Sequence, residues 1–155
     1  MSLPGALMML VLAVASSAGA AAGEGAASRG RELFTGAAPL NGTIAGHTSA
    51  LPPPAARCVN CHAIGSAGPG RVAAASGASA APASFGPLLT VQGLTGLVAR
   101  RGGPPSRYDE AAFCRLLRQG VDPAWVMVPR SMPRYELNDA DCRALWAHLT
   151  EPSRP

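Results

Sequence analysis

The residues Cys58-Val59-Asn60-Cys61-His62 constrain this chain more than any other part of its sequence. Residues three positions apart lie on the same side of one helical turn, so Cys58 and Cys61 can project their thiols in one direction. His62 follows the second cysteine directly and brings an imidazole to the same place. The segment therefore predicts a helical turn that presents two thiols and one imidazole to a common partner.

Cys-x-x-Cys-His is the attachment motif of c-type haem. On one helical turn, both thiols can reach the two vinyl groups of one porphyrin and form thioethers. The imidazole of the adjacent His62 then lies under the ring, where a neutral nitrogen can bind iron. We therefore interpret Cys58, Cys61 and His62 as the attachment site of one covalent haem c.

Three other interpretations compete for the same residues. A dithiol redox site of thioredoxin type needs strands that alternate with helices, and the sequence pattern shows none. A zinc site needs two further ligands at matching spacing, whereas Cys114 and Cys142 are single and far apart. A structural disulfide between Cys58 and Cys61 would leave His62 without a role.

The start of the chain predicts export. The first 23 residues carry no charged side chain, and residues 7–14 form a short apolar core followed by small residues. Ala-x-Ala sites at 18–20 and 20–22 suit signal peptidase. We predict an export signal over 1–22 and a mature domain over 23–155 in the periplasm, with an uncleaved membrane anchor as the alternative. Because c-type haem is attached after export, this leader agrees with the motif.

Hydrophobic periodicity predicts a small all-α domain with long loops. Apolar residues recur at helical spacing in the second half of the chain, and good capping residues flank those stretches. Asn138, with Asp141 three residues later, marks the start of the last helix, and Gly120 marks the end of the one before. The predicted helices cover 26–34, a short stretch near 93–100, 109–119 and 139–150.

Two stretches are predicted to be irregular. Residues 36–57 hold glycines and prolines with no clear period, which favours a loop lying over a surface. Residues 65–84 are a low-complexity run of Gly, Ala, Ser and Pro. The core is thin for this length, so another source of stability is expected.

The charge pattern argues against a nucleic-acid partner. All 13 basic residues counted as Lys or Arg are arginines, and the net charge is +4. They are not clustered beyond one adjacent pair, and aromatic residues are few, whereas nucleic-acid surfaces usually show clustered basic residues. We therefore predict no nucleic-acid binding.

Beyond the haem motif, the sequence resembles a class I monohaem cytochrome c of the bacterial periplasmic type. The resemblance covers roughly residues 28–150, interrupted by the two irregular stretches. It implies three to five short helices packed around one covalently attached haem. It is carried by CVNCH at 58–62, FGPL at 85–88 and MPRYELNDAD at 132–141, with Gly30 and Phe34 in the first helix.

The resemblance implies roles for two further residues at the haem. By this resemblance, Met132 is expected to bind the iron on the face opposite His62. A thioether is a soft, neutral ligand that favours reduced iron and raises the potential. Pro87 matches the residue whose carbonyl accepts a hydrogen bond from the other nitrogen of the axial histidine. That bond would fix the orientation and the basicity of the ring.

The resemblance also implies how the helices pack. Gly30 and Phe34 match positions where the first helix crosses the last, and Trp146 is a fitting partner for them. Because the family packs the helices of Cys114 and Cys142 together, and because the compartment is oxidising, we predict a disulfide between these two cysteines. The alternative is that both are small buried apolar residues without a bond.

Other residues are alternative sixth ligands. Met127 lies in the same loop as Met132, but its apolar neighbours within 125–128 suggest that it is buried by packing. His47 in a loop and His148 on the last helix are further alternatives, although exposed or capping roles are expected for both.

The expected function is one-electron transfer rather than enzymatic catalysis. The expected partners are transient periplasmic redox proteins: a dehydrogenase as donor, and an oxidase or another cytochrome as acceptor. One alternative is a haem subunit tethered to a dehydrogenase complex. Another is a haem enzyme or gas-binding sensor, which requires the sixth position of the iron to be open.

Overall fold

A computed structural model describes residues 15–65, 86–100 and 102–151. In these ranges the protein is mostly helical, which confirms the coarse prediction of a small helical fold, and it also has one two-stranded sheet that was not predicted. Residues 1–14 of the predicted export signal and 66–84 of the predicted low-complexity loop lie outside the described residues. The elements are α1 (Ala15–Thr35), β1 (Gly42–Thr43), a 3-10 turn (Cys58–Asn60), α2 (Val91–Thr95), α3 (Glu110–Gln119), β2 (Arg134–Tyr135) and α4 (Asp139–Thr150).

The two C-terminal helices begin and end where the capping residues predict. The side chain of Asp109 accepts a hydrogen bond from Ala112 N at 2.7 Å and so caps α3. Gly120 ends α3 with a φ of 73°, a left-handed conformation that favours glycine. Asn138 caps α4 in the same way, because its Oδ1 accepts from Asp141 N at 2.7 Å.

The first two helices differ from the prediction. α1 begins at Ala15 rather than at residue 26, although it ends at Thr35 before Gly36, close to the predicted end. The boundary predicted between residues 22 and 23 therefore falls within this helix. α2 covers Val91–Thr95 instead of 93–100, because Thr90 Oγ1 accepts from Gly93 N at 2.8 Å and the backbone turns extended at the next glycine. Among the described residues, no helix combines the length and the apolar character needed to cross a membrane.

The crossing of α1 with α4 is the largest helix contact of the core. A side chain at Gly30 would overlap the carbonyl group of Ala144, so only glycine allows the two backbones to approach this closely. The ring of Phe34 contacts His148, with 5.8 Å between centroids. Trp146 packs against Phe113 of α3 at 5.5 Å, so its ring partner is not Phe34 as the resemblance implied. Trp146 therefore lies on the side of α4 that faces α3, whereas His148 lies on the side that faces α1.

A disulfide joins α3 to α4. Cys114 and Cys142 are bonded, with their Cα atoms 5.8 Å apart, as predicted. Cys142 is fully buried, and Cys114 is partly exposed. The bond therefore links the buried side of α4 to the partly exposed side of α3. A covalent link of this kind is expected to stabilise a domain with a thin core.

The short sheet joins the loop after α1 to the segment before α4. Gly42 pairs with Tyr135, and Thr43 pairs with Arg134, in antiparallel register. A Cβ at Gly42 would lie 3.1 Å from Tyr135 Cε1 and 3.3 Å from Pro133 Cβ, so glycine lets the tyrosine ring lie flat against this backbone. Residues 36–57 were predicted to be loop throughout. Two residues per strand are too few to produce a readable alternation.

Candidate haem attachment site

The motif cysteines lie on one tight helical turn. The carbonyl of Cys58 accepts hydrogen bonds from Cys61 N at 3.1 Å and from His62 N at 2.9 Å. Asn60 Nδ2 donates to Pro54 O at 2.8 Å and so anchors the turn to the preceding loop. Cys58 and Cys61 are not bonded to each other, and both are partly buried. The turn therefore keeps two reduced thiols and one imidazole within a single turn of backbone.

The imidazole of His62 is held by the segment that begins at Gly86. Its Nδ1 lies 2.9 Å from Pro87 O, and because a carbonyl oxygen only accepts, Nδ1 carries the proton and donates. This is the contact that the resemblance implies for Pro87. The bond fixes the tautomer and leaves Nε2, on the opposite side of the ring, as the nitrogen with a lone pair.

Gly86 makes this contact possible. Its backbone N donates to Cys61 O at 2.8 Å. A Cβ added at Gly86 would overlap the His62 ring and would lie 2.9 Å from Cys61 O. Glycine at this position is therefore required for residues 86–87 to lie directly against the imidazole.

Apolar side chains surround the turn at the surface. Leu89 N donates to Ala63 O at 2.8 Å, and Gly65 N donates to Leu89 O at 3.0 Å, so the two segments run side by side. Ile64 and Leu88 on these segments remain 42% and 40% exposed. Val59 on the turn and Val91 at the start of α2 are exposed to a similar degree. Four large apolar side chains on or next to the motif segment are thus accessible to solvent.

Cys58 lies deeper than its partner cysteine. Burial raises the pKa of the Cys58 thiol to about 11. The phenol of Tyr135 lies beside it, and burial together with the nearby thiol raises the pKa of Tyr135 well above its usual range. Tyr135 Oη donates to Ala56 O at 3.0 Å. The tyrosine thus connects β2 to the residues that lead into the motif.

Met132 lies three residues before this tyrosine. Its side chain is partly buried and packs against the core, as does that of Cys58. Its backbone N donates to Pro129 O at 3.2 Å, and its carbonyl accepts from Arg134 at 2.6 Å. Met132, the predicted axial ligand, is therefore held in a hydrogen-bonded turn. Its side chain packs against the same hydrophobic core as the side chain of Cys58.

The prediction that Met127 is buried is wrong. Met127 is 60% exposed and Trp125 is 74% exposed, whereas Val128 alone of this apolar run is fully buried. Val121 and Met127 form an antiparallel bridge that closes a tight loop, in which Trp125 is exposed.

Asp122 causes this arrangement. It is buried, and its Oδ1 accepts from Ala124 N and from Val126 N, each at 2.9 Å. Trp125 is thereby held at a positive φ of 62°, and its ring lies 4.2 Å from the guanidinium carbon of Arg115. The hydrogen-bond requirement of one carboxylate outweighs the tendency of the tryptophan to be buried.

The two other histidines lie in different surroundings. His47 is exposed in the loop after β1, as expected. His148 is partly buried against Phe34, so the prediction of an exposed or capping role is wrong for it. Burial lowers the pKa of His148, Arg31 lowers it further, and Glu151 opposes both.

Sequence reasoning missed three residues that support this site. All three lie in segments that carry the family resemblance, but the sequence predicted no individual role for Gly86, Arg134 or Tyr135. The glycine directly before Pro87, whose carbonyl was predicted to accept a hydrogen bond from His62, was the signal for a close approach. Within the described residues, no group of three or more His, Cys, Asp or Glu side chains is arranged to hold a metal ion. No family model, curated protein or solved structure matches this chain.

Proposed function

We propose that the protein is a one-electron carrier of the periplasm with a single covalently attached haem c. The observation that carries this proposal is the geometry of one turn: Cys58 and Cys61 are unbonded, and the adjacent His62 donates through Nδ1 to Pro87 O. A disulfide or a dithiol redox site gives no reason for the hydrogen bond from His62 to Pro87. An axial histidine requires it, because its iron-binding nitrogen must be unprotonated and fixed in direction.

Four residues have different proposed roles in holding the haem. Cys58 and Cys61 would hold the haem through thioethers, and His62 Nε2 and the Met132 thioether would hold its iron. When bound, a haem at this turn supplies one-electron chemistry between Fe(III) and Fe(II). A neutral methionine thioether favours the reduced state, and the hydrogen bond from His62 to Pro87 tunes the basicity of the opposite ligand.

Met132 is the best supported of the candidate sixth ligands. It is partly buried against the core, whereas Met127 projects into solvent and His148 is packed against Phe34. A ligand that already lies in a fixed turn loses less conformational freedom when it binds. If His62 and Met132 both held the iron, no site would remain for oxygen or peroxide, so the proposed role is electron transfer rather than catalysis.

The partners follow from this chemistry. A periplasmic dehydrogenase is the proposed donor, and an oxidase or another cytochrome is the proposed acceptor. Such encounters bury little surface and are transient. A net charge of +4 spread over separated arginines gives only modest electrostatic steering.

Purification of the exported protein tests the proposal. Haem staining should survive denaturation on a gel, and Cys61→Ser should give little mature holoprotein. The oxidised protein should have a weak iron–sulfur band at the red end of its visible spectrum. Met132→Ala should abolish that band, whereas Met127→Ala should retain it. Loss of all haem on acid extraction would overturn the covalent attachment.

The second candidate is a haem enzyme or gas-binding sensor with an open sixth position. It requires that the thioether of Met132, which is carried by a loop rather than by a helix, leaves the iron unbound. The visible spectrum of the reduced protein with and without carbon monoxide separates the two. Rapid binding of carbon monoxide by the wild type would favour this second function.

A further inference from the structure

Arg134 makes two contacts with the backbone of the loop that carries Met132. Its Nη1 donates to Met132 O at 2.6 Å, and its Nη2 donates to Val128 O at 3.3 Å. The two carbonyls belong to residues four positions apart, on either side of residues 129–131. One planar guanidinium therefore spans the turn that precedes the methionine.

The other side of the same guanidinium lies against the end of α3. Gly120 N donates to Leu116 O at 2.7 Å, and Gly120 O accepts from Val128 N at 2.8 Å. A Cβ at Gly120 would overlap the guanidinium of Arg134. The arginine is thus confined between a helix end and the loop, and it has little room to adopt another rotamer.

The backbone of Arg134 is fixed as well. Arg134 pairs with Thr43 in the two-stranded sheet, and the next residue, Tyr135, is buried and bonded to Ala56 O. The Cα of Arg134 is therefore anchored in the sheet. Through its hydrogen bond to Met132 O, the guanidinium ties the backbone of Met132 to this anchored position.

We infer that Arg134 is a positioning residue that holds Met132 in its iron-binding place. This inference rests on the proposed function, in which the Met132 thioether is an axial ligand. A methionine on an unrestrained loop must lose backbone freedom each time it binds iron, and this loss weakens the bond. The guanidinium removes that freedom beforehand, so the thioether competes better against any other ligand.

The planar fork of arginine is essential to this role. A guanidinium carries several N–H donors in a fixed plane, whereas a lysine ammonium is a compact point charge on a flexible stem. Arg134→Lys keeps the positive charge but loses the rigid connection between the two carbonyls. If the role were only electrostatic, Arg134→Lys would behave as the wild type does.

Competition by free imidazole for the ferric iron tests the inference. The purified holoprotein is titrated with imidazole, and loss of the iron–sulfur band reports displacement of Met132. Arg134→Gln should bind imidazole about tenfold more tightly than the wild type, because two hydrogen bonds from a charged group are lost. Arg134→Lys should lie closer to Arg134→Gln than to the wild type.

Two variants serve as matched controls. Arg130→Gln removes the same charge from an exposed side chain in the same loop, and its imidazole affinity should stay within about twofold of the wild type. Gly30→Ala weakens the distant helix crossing and controls for a general loss of stability. It should lower the unfolding midpoint without changing the imidazole affinity.

The outcomes separate this inference from the proposed function. A wild-type protein without an iron–sulfur band would overturn the axial role of Met132 and the inference with it. A wild type with the band, together with Arg134 variants that bind imidazole as the wild type does, would overturn the inference alone. If Arg134→Gln does not fold, the titration of Arg134→Lys decides.

Discussion

Tyr135 Oη donates a hydrogen bond to Ala56 O at 3.0 Å, across 79 positions of the chain. Tyr135 lies three residues after Met132, and Ala56 lies two residues before Cys58. Both partners are buried, with 7% and 1% of their surface exposed. This one bond therefore connects the segment of Met132 to the segment of Cys58, the two segments of the proposed haem site.

Removal of this bond should weaken the fold without removing the ring. Tyr135→Phe keeps the aromatic packing against Gly42 but leaves the buried carbonyl of Ala56 without its partner. We expect the free energy of unfolding to fall by about 1–3 kcal/mol. Denaturant unfolding followed by circular dichroism measures this, and an unchanged midpoint would contradict the prediction.

The helix crossing should be sensitive to a single methyl group. Gly30→Ala places a Cβ against the carbonyl of Ala144, so the helices must separate. We expect a loss of about 1–3 kcal/mol, as for other overpacked sites. Gly25→Ala on the same helix is the control, because no atom lies within 4 Å of the added Cβ. It should be neutral or should stabilise the protein by up to about 1 kcal/mol. Equal effects of the two changes would refute this account of the crossing.

The disulfide should stabilise both the fold and the proposed iron–sulfur bond. Its cysteines are separated by 28 positions, so the bond closes a loop that contains Met132. Changing both Cys114 and Cys142 to Ser should lower the unfolding free energy by roughly 3.6 kcal/mol in the chain-entropy model. The iron–sulfur band should then disappear at a lower temperature than in the wild type. Two alkylatable thiols in the native exported protein would rule the bond out.

His148 should make stability depend on pH. Burial lowers its pKa below the ordinary 6.5, so the folded state favours the neutral ring. The stability that this preference contributes is complete above the unfolded pKa and is lost as the pH falls through the folded value. Between about pH 7.5 and about pH 5.5, the melting temperature of the wild type should fall more than that of His148→Gln. His47→Gln, in an exposed loop, should follow the wild type, and a His148→Gln slope as steep as the wild type would contradict the prediction.

Local hydrogen bonds explain why the C-terminal helices could be predicted. Asp109 and Asn138 cap their helices through backbone groups three residues away, and Gly120 ends α3 through its own conformation. These interactions depend only on neighbours in the sequence. The attachment turn was predictable for the same reason, since its bonds join Cys58 to the residues directly after it.

Long-range contacts explain what the sequence left open. The exposure of Trp125 depends on the hydrogen bonds of buried Asp122, and nothing in an apolar run indicates that its tryptophan will be excluded from the core. The pairing of Gly42 with Tyr135 joins distant segments through only two residues per strand. The role of Arg134 depends on the proximity of Gly120, which is visible only once α3 and the loop are placed together.

The contact between α1 and α4 also sets the order in which the protein can fold. Arg29 and Asp141, which form an ion pair across this interface, are 112 positions apart. Contacts of such long range must overcome the entropy of closing the whole chain, so they form late and slow the folding reaction. Because synthesis begins at the N-terminus, Cys58, Cys61 and His62 leave the ribosome before α4 does. We therefore expect an interval in which the thiols of the proposed haem site are accessible and the core is not yet closed.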